Sequence, residues 1–193
     1  MIKRWVASLV DSPEKARARV GAMLESSGLP YVRDAVIPDR IGGYTEVGHM
    51  LLTAEGILLV ESEYFRGAVH SSAFTMNWTC FEGHERHVFR NPMHRQRELA
   101  DTLDKMILGE RVGVGVRTCF VICGPVRFAS ETPDGVLPEA RLRDYLVERG
   151  GAPTARQRAV WSVLLSRVAC QPVAPFGIVN EGSHAHLSPR CPS

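Results

Sequence analysis

Three glutamates stand where chemistry could be done. The stretches Thr45–Thr53 and Gly56–Gly67 are adjacent, apolar and separated only by Ala54-Glu55, the pattern of a β-hairpin. Side chains two residues apart on a strand share a face. Glu61 and Glu63 therefore point the same way, at the end of the run Ile57-Leu58-Leu59-Val60, and Glu46 on the other strand shares its side with Gly48. Neighbouring carboxylates repel, and one keeps its proton unless a cation or a donor intervenes. A divalent ion is the usual remedy; held by oxygen ligands, it lowers the pKa of a bound water and assists hydrolysis. The plainer reading is a strand acquiring charge at its solvent end.

A second group could meet phosphate. Between His84 and Arg97 lie Arg86, Arg90, Arg95 and Arg97 with His84, His87 and His94, against the single acid Glu85. Guanidinium groups suit bidentate contact with phosphate oxygens, and a helix opening at Asn91-Pro92 adds free amide donors. A solvated basic turn is the alternative. Gln96 falls on the apolar side of that helix, where a buried amide must find partners. In the tail, His184, His186 and Cys191 lack a fourth ligand and a defined spacing for a transition metal.

These residues need elements to hold them. Ser12-Pro13 opens a helix that should run to about Ser27, stopped by Gly28 and Pro30. Tyr31–Ile37 reads as a first strand and 38–43 as a turn, before the two glutamate-bearing strands. Ala68–Phe89 is less regular, with short hairpin strands around Trp78. Met93, Gln96, Ala100, Leu103 and Ile107 recur at helical spacing after Asn91-Pro92. Val112–Cys123 should be a buried strand and Glu139–Arg149 a short helix. Thr154 should cap a last helix, Ala155–Val168, with Val160, Leu164, Leu165 and Val168 inward. The expected class is α/β or α+β, a central mixed sheet flanked by helices.

The 193 residues suit one domain over 1–170 with a poorly ordered tail over 171–193. A hydrophobic fraction of 45% is enough for a core, and a net charge of +2 is too small to announce a nucleic-acid binder, so any such surface must be local. Cys80, Cys119, Cys123, Cys170 and Cys191 show no paired C-x-x-C spacing, which points to a reducing cytoplasm. The opening residues, 1–10, are too short an apolar run to span a membrane. No Walker loop, no G-x-S-x-G elbow and no dinucleotide fingerprint is present; 109–115 has the wrong glycine spacing and precedes a strand.

The order of segments resembles the nuclease-related domain, NERD, a branch of the PD-(D/E)xK nuclease superfamily. The family core reads roughly Q-I-D-H, an apolar strand, a Gly turn, and a strand ending E-V-K before an aromatic and Gly. The matching residues are Glu46-Val47-Gly48-His49, Gly56-Ile57-Leu58-Leu59-Val60, Glu61-Ser62-Glu63 and Tyr64-Phe65-Arg66-Gly67. The family's N-P-x-x-Q helix start corresponds to Asn91-Pro92-Met93-His94-Arg95-Gln96, and the similarity runs from about residue 12 to about residue 150. The resemblance implies a restriction-endonuclease-like core, metal ligands at the first-strand Asp and second-strand Glu, and a water-activating Lys two residues later. It also implies that Gln96 faces the cleft.

The departures are chemical. The Asp position is Gly48, the Lys position is Glu63, and the Glu of the first helix falls on Arg17, with Glu14 one turn earlier. Only Glu61 keeps its family identity, although the longer arm of Glu46 could replace the missing Asp.

Three readings follow. One is a nuclease-fold protein that binds nucleic acid, DNA foremost, through Arg86, Arg90, Arg95 and Arg97 but cuts poorly or not at all, and so needs no cofactor. The second is an active, divergent Mg- or Mn-dependent nuclease with Glu46 and Glu61 as metal ligands and Glu61, Glu63 and Gln96 as catalytic residues. The third is an interaction module whose partner is another protein or a second copy of the chain. Fold alone does not decide among them.

Overall fold

The computed structural model describes residues 11–38, 43–108 and 114–172. The first helix, α1 (Pro13–Glu25), begins where Ser12 turns its hydroxyl back to accept from the Lys15 amide at 3.3 Å, with Pro13 in the first turn. Then come β1 (Tyr31–Pro38), β2 (Tyr44–Thr53) and β3 (Gly56–Tyr64). The β2–β3 turn requires Gly56. Its φ is 125°, and a Cβ there would lie 2.3 Å from the Gly115 carbonyl oxygen, which accepts the Ile57 amide.

The irregular stretch after β3 resolves into β4 (Gly67–His70), β5 (Asn77–Glu82) and β6 (Glu85–Arg90), followed by helix α2 (Pro92–Leu108). Its inward side is Met93, Gln96, Leu99, Leu103 and Ile107, with Ala100 only half-buried. Strand β7 (Val116–Cys123) starts later than its apolar run suggests; Val114 is buried ahead of it, and Val112 and Gly113 lie outside the described residues. The chain closes with β8 (Val126–Phe128), β9 (Val136–Pro138), a 3-10 turn over Glu139–Arg141, α3 (Leu142–Glu148), α4 (Ala155–Arg167) and β10 (Ala169–Pro172). Thr154 and Gln157 form a reciprocal capping box at α4, and Trp161 joins Val160 and Leu164 on its buried side. Strand β10 pairs with β1 and carries the described chain to Pro172; His184, His186 and Cys191 lie outside the described residues.

The six-stranded sheet runs β10-β1-β2-β3-β7-β9, and a four-stranded sheet runs β6-β5-β4-β8. Strand β3 is central, antiparallel to β2 and parallel to β7, and its residues Gly56–Val60 are all buried. The alternation of side chains explains why. Ile57 and Leu59 pack with Leu99, Leu103 and Ile107 of α2 and with α4 on one face. Leu58 and Val60 pack with Val20 and Leu24 of α1 and with Leu142 and Leu146 of α3 on the other. Truncating a fully buried Leu such as Leu103 to Ala would cost about 2–5 kcal/mol. A third cluster, with Trp78, Met93, Phe120 and Ile122, joins the two sheets. This is the mixed α/β class expected, consistent with a restriction-endonuclease-like core. Among the described residues no helix is long and apolar enough to cross a membrane.

Candidate functional site

The main sheet splits like a fork. Strand β2 pairs with β1 from Tyr44 to Leu51, but with β3 only from His49 to Thr53, against Val60 to Gly56. Beyond Val60, β3 follows β7 as far as Tyr64. The strands thus part where the glutamates begin, and the opening is a cavity of about 410 Å³. One prong lines it with Glu46, Gly48 and His49, the other with Glu61, Ser62 and Glu63; Arg17, Asp34, Arg95 and Phe120 complete the wall. The three glutamates singled out in the sequence therefore share one cavity.

Arg95, from the first turns of α2, spans the fork. Its Nη2 donates to the Glu46 carbonyl oxygen at 2.9 Å and lies 3.3 Å from Glu61 Oε1. Burial pushes the Glu61 carboxyl above its ordinary value; Arg95 opposes that shift and Glu63 adds to it. Glu63 is raised too, again by burial, against the pull of Arg17 and Arg95. For both carboxylates burial outweighs the pull of the guanidinium groups, which offset it only in part.

Two further cavity residues carry no sequence signal of periodicity. Asp34 has φ 51°, a left-handed conformation that Asp tolerates better than most residues, at the point where the β1–β10 register shifts between Arg33 and Val36. The pairs Arg33 with His49 and Ala35 with Val47 put Asp34 across from Gly48, so a carboxylate from the neighbouring strand borders the place where the family carries Asp. A Cβ on Gly48 would meet only the Val60 carbonyl, at 3.7 Å. His49 stacks on Tyr31 with ring centroids 5.7 Å apart, its Nδ1 2.6 Å from the Tyr31 hydroxyl. Burial drives His49 down to about 4 and raises Tyr31, so the neutral imidazole accepts from the phenol.

Gln96 behaves differently. It is 1% exposed, is not among the residues lining the cavity, and neither its Oε1 nor its Nε2 has a hydrogen-bond partner. The four arginines also separate. Arg86 and Arg90 lie on β6, an edge strand of the smaller sheet. Arg95 enters the cavity, whereas Arg97 donates to the Ala73 carbonyl at 3.2 Å.

The donor chemistry of the cavity suits a hard cation, but its arrangement does not. Among the described residues no three His, Cys, Asp or Glu side chains gather so as to hold a metal ion, and Arg95 stands against Glu61. No step through a metal follows from this geometry.

A family model described as the nuclease-related domain, NERD, matches residues 12–123, a span that contains α1, the fork and α2 and ends with β7. No curated protein and no solved structure matches the chain.

Proposed function

Because the chain belongs to the nuclease-related domain family, we propose that it is a nucleic-acid-binding member in which phosphodiester cleavage is impaired or lost. The observation that carries this reading is the Arg95 guanidinium, 3.3 Å from Glu61 and bonded to the Glu46 carbonyl. A cation from the protein itself thus stands against the acid that the family resemblance implies as a metal ligand. Gly48 supplies no oxygen, and Glu63 supplies no positive charge to position or activate a water. Arg86 and Arg90, both exposed on the edge strand, give a sequence-tolerant phosphate-binding surface, to which Arg97 on α2 adds a further guanidinium while Arg95 serves the cavity. DNA is the foremost ligand, and no cofactor is required for binding. A reducing, cytoplasmic setting belongs to the same reading, supported by the free buried thiols of Cys80, Cys119 and Cys123.

One observation favours the active alternative, a Mg- or Mn-dependent nuclease. Asp34, Glu46, Glu61 and Glu63 all border the cavity, so moving the Arg95 side chain aside would leave a carboxylate-rich wall. Incubation of the purified protein with plasmid and Mg²⁺ or Mn²⁺, beside Glu61→Gln, separates the two. We expect no cleavage by either protein and binding that weakens as salt rises. Cleavage that Glu61→Gln abolishes would establish the alternative. If no nucleic acid binds even at low salt, a protein partner or a second copy of the chain becomes the ligand to seek.

A further inference from the structure

The loop between β4 and β5, Ser71–Met76, presents an unusual residue to solvent. Phe74 is 91% exposed and Met76 is 62% exposed. An aromatic side chain gains nothing for folding from such a position.

The loop beneath it is tied down from several directions. Asn91, fully buried, donates through Nδ2 to the Ser72 carbonyl at 2.9 Å and the Thr75 carbonyl at 2.7 Å. Its amide donates to the Met76 carbonyl at 2.9 Å, while its Oδ1 accepts from Met93 and caps α2. Trp78 Nε1 adds a second bond to the Ser72 carbonyl at 2.8 Å, and Arg97 holds the Ala73 carbonyl at 3.2 Å. Ser130 donates to the Ser71 carbonyl at 2.9 Å, and His94 Nε2 lies 3.3 Å from the Thr75 carbonyl. Most of the loop carbonyls are therefore engaged by side chains from other elements. A ring mounted on such a loop loses little further freedom when it binds.

The surroundings identify the class of ligand. His94 and Arg97, which brace the loop, alternate on α2 with Arg95, which enters the fork, and Arg90 ends the adjoining strand β6. Glu98 lies 3.4 Å from Arg90, but both are more than half exposed, where such a pair counts for little. An exposed aromatic ring one residue from the carbonyl that Arg97 holds matches a nucleic acid strand, whose bases stack and whose phosphates carry charge. We infer that Phe74 is a base-stacking residue that engages unpaired bases of a nucleic acid strand, while Arg90 and Arg97 meet its phosphates. This rests on the nucleic-acid reading above and adds to it the form of nucleic acid recognised.

The probes are fluorescein-labelled oligo-dT and a blunt duplex, with binding read by anisotropy over a salt series. Phe74→Ala should weaken oligo-dT binding about tenfold, because stacking is lost, yet leave the salt slope unchanged, because no phosphate contact is lost. Its thermal melting should match wild type, since the ring is exposed. Phe74→Trp should retain affinity, and its emission should be quenched by oligo-dT beyond the quench of the wild-type tryptophans. Equal affinity of wild type and Phe74→Ala for oligo-dT overturns the stacking assignment while leaving nucleic-acid binding intact. A loss confined to the duplex overturns the assignment to unpaired bases. A wild-type protein that binds neither probe at low salt overturns the functional reading itself and this inference with it.

Discussion

The Nη2 atom of Arg95 lies 3.3 Å from Glu61 Oε1 while donating to the main-chain oxygen of Glu46. One guanidinium thus connects the two prongs of a sheet that has already parted. The charge that bridges the two strands belongs to the chain itself. Arg95 and Arg17 are the two cations set against the four carboxylates, Asp34, Glu46, Glu61 and Glu63, that border the cavity.

Restoring the family's pattern should restore chemistry. Gly48→Asp has room, since a Cβ there meets only a carbonyl at 3.7 Å, and Glu63→Lys returns the missing cation. The double variant is expected to cleave plasmid with Mn²⁺ on the order of a hundredfold faster than wild type, with each single variant well below it. Background cleavage by the double variant would show that the fork no longer supports catalysis.

Charge removal at the arginines tests the binding surface. Alanine at Arg86 or Arg90 should weaken binding on every sequence alike and lower the slope of log affinity against log salt by about 0.9 each. A variant whose slope equals that of wild type has lost no phosphate contact.

Glu61 gives a stability prediction with a definite sign. Burial raises its folded-state proton affinity above the unfolded value of 4.5, so the ionised form costs stability at neutral pH, and that cost disappears as pH falls below 4.5. Glu61→Gln should therefore melt above wild type at pH 7, a difference that shrinks in acid. Identical melting at pH 7 would mean that Arg95 offsets the whole burial cost.

His49 runs the opposite way. Its folded value, about 4, lies below the unfolded 6.5, so stability present at neutral pH is lost as pH falls through that window. The loss is on the order of 3 kcal/mol, the difference between 6.5 and about 4 that burial of the ring imposes. His49→Gln, which accepts without titrating, should flatten this part of the pH profile in denaturant melts, and an unchanged profile would move the acid sensitivity elsewhere.

Gln96 leaves two buried polar atoms without partners, and such groups usually cost about 1–3 kcal/mol each to bury. Gln96→Leu should stabilise the protein by an amount of that order in urea melts. Destabilisation would reveal that the amide has partners that bind it in solution.

The helix and strand plan was legible because it depends on short-range pattern. The inward stripe of α2 follows from residues three and four apart, the hairpin from two adjacent apolar runs, and the start of α4 from Thr154. The shared orientation of Glu61 and Glu63 follows from the strand's period. Leu99 joins the buried side and Ala100 sits at its margin, because a helix interface is wider than one row of residues. The fork was not legible. Nothing local records that β2 abandons β3 beyond His49 to remain with β1, or that Asp34 turns back at a register shift to face Gly48.

By itself, then, the sequence determined the main helices and strands and the shared face of Glu61 and Glu63, while the departures at Gly48, Glu63 and Arg17 are what the family resemblance implies. The tertiary structure alone decided that Arg95 bridges the parted strands and that Asn91, Trp78 and Arg97 lock the loop bearing Phe74. The physical reason is range. Periodicity and capping act over a few residues along the chain, whereas Arg95 and Glu46 meet across 49 positions, a distance over which only the packed sheet and helix specify contact.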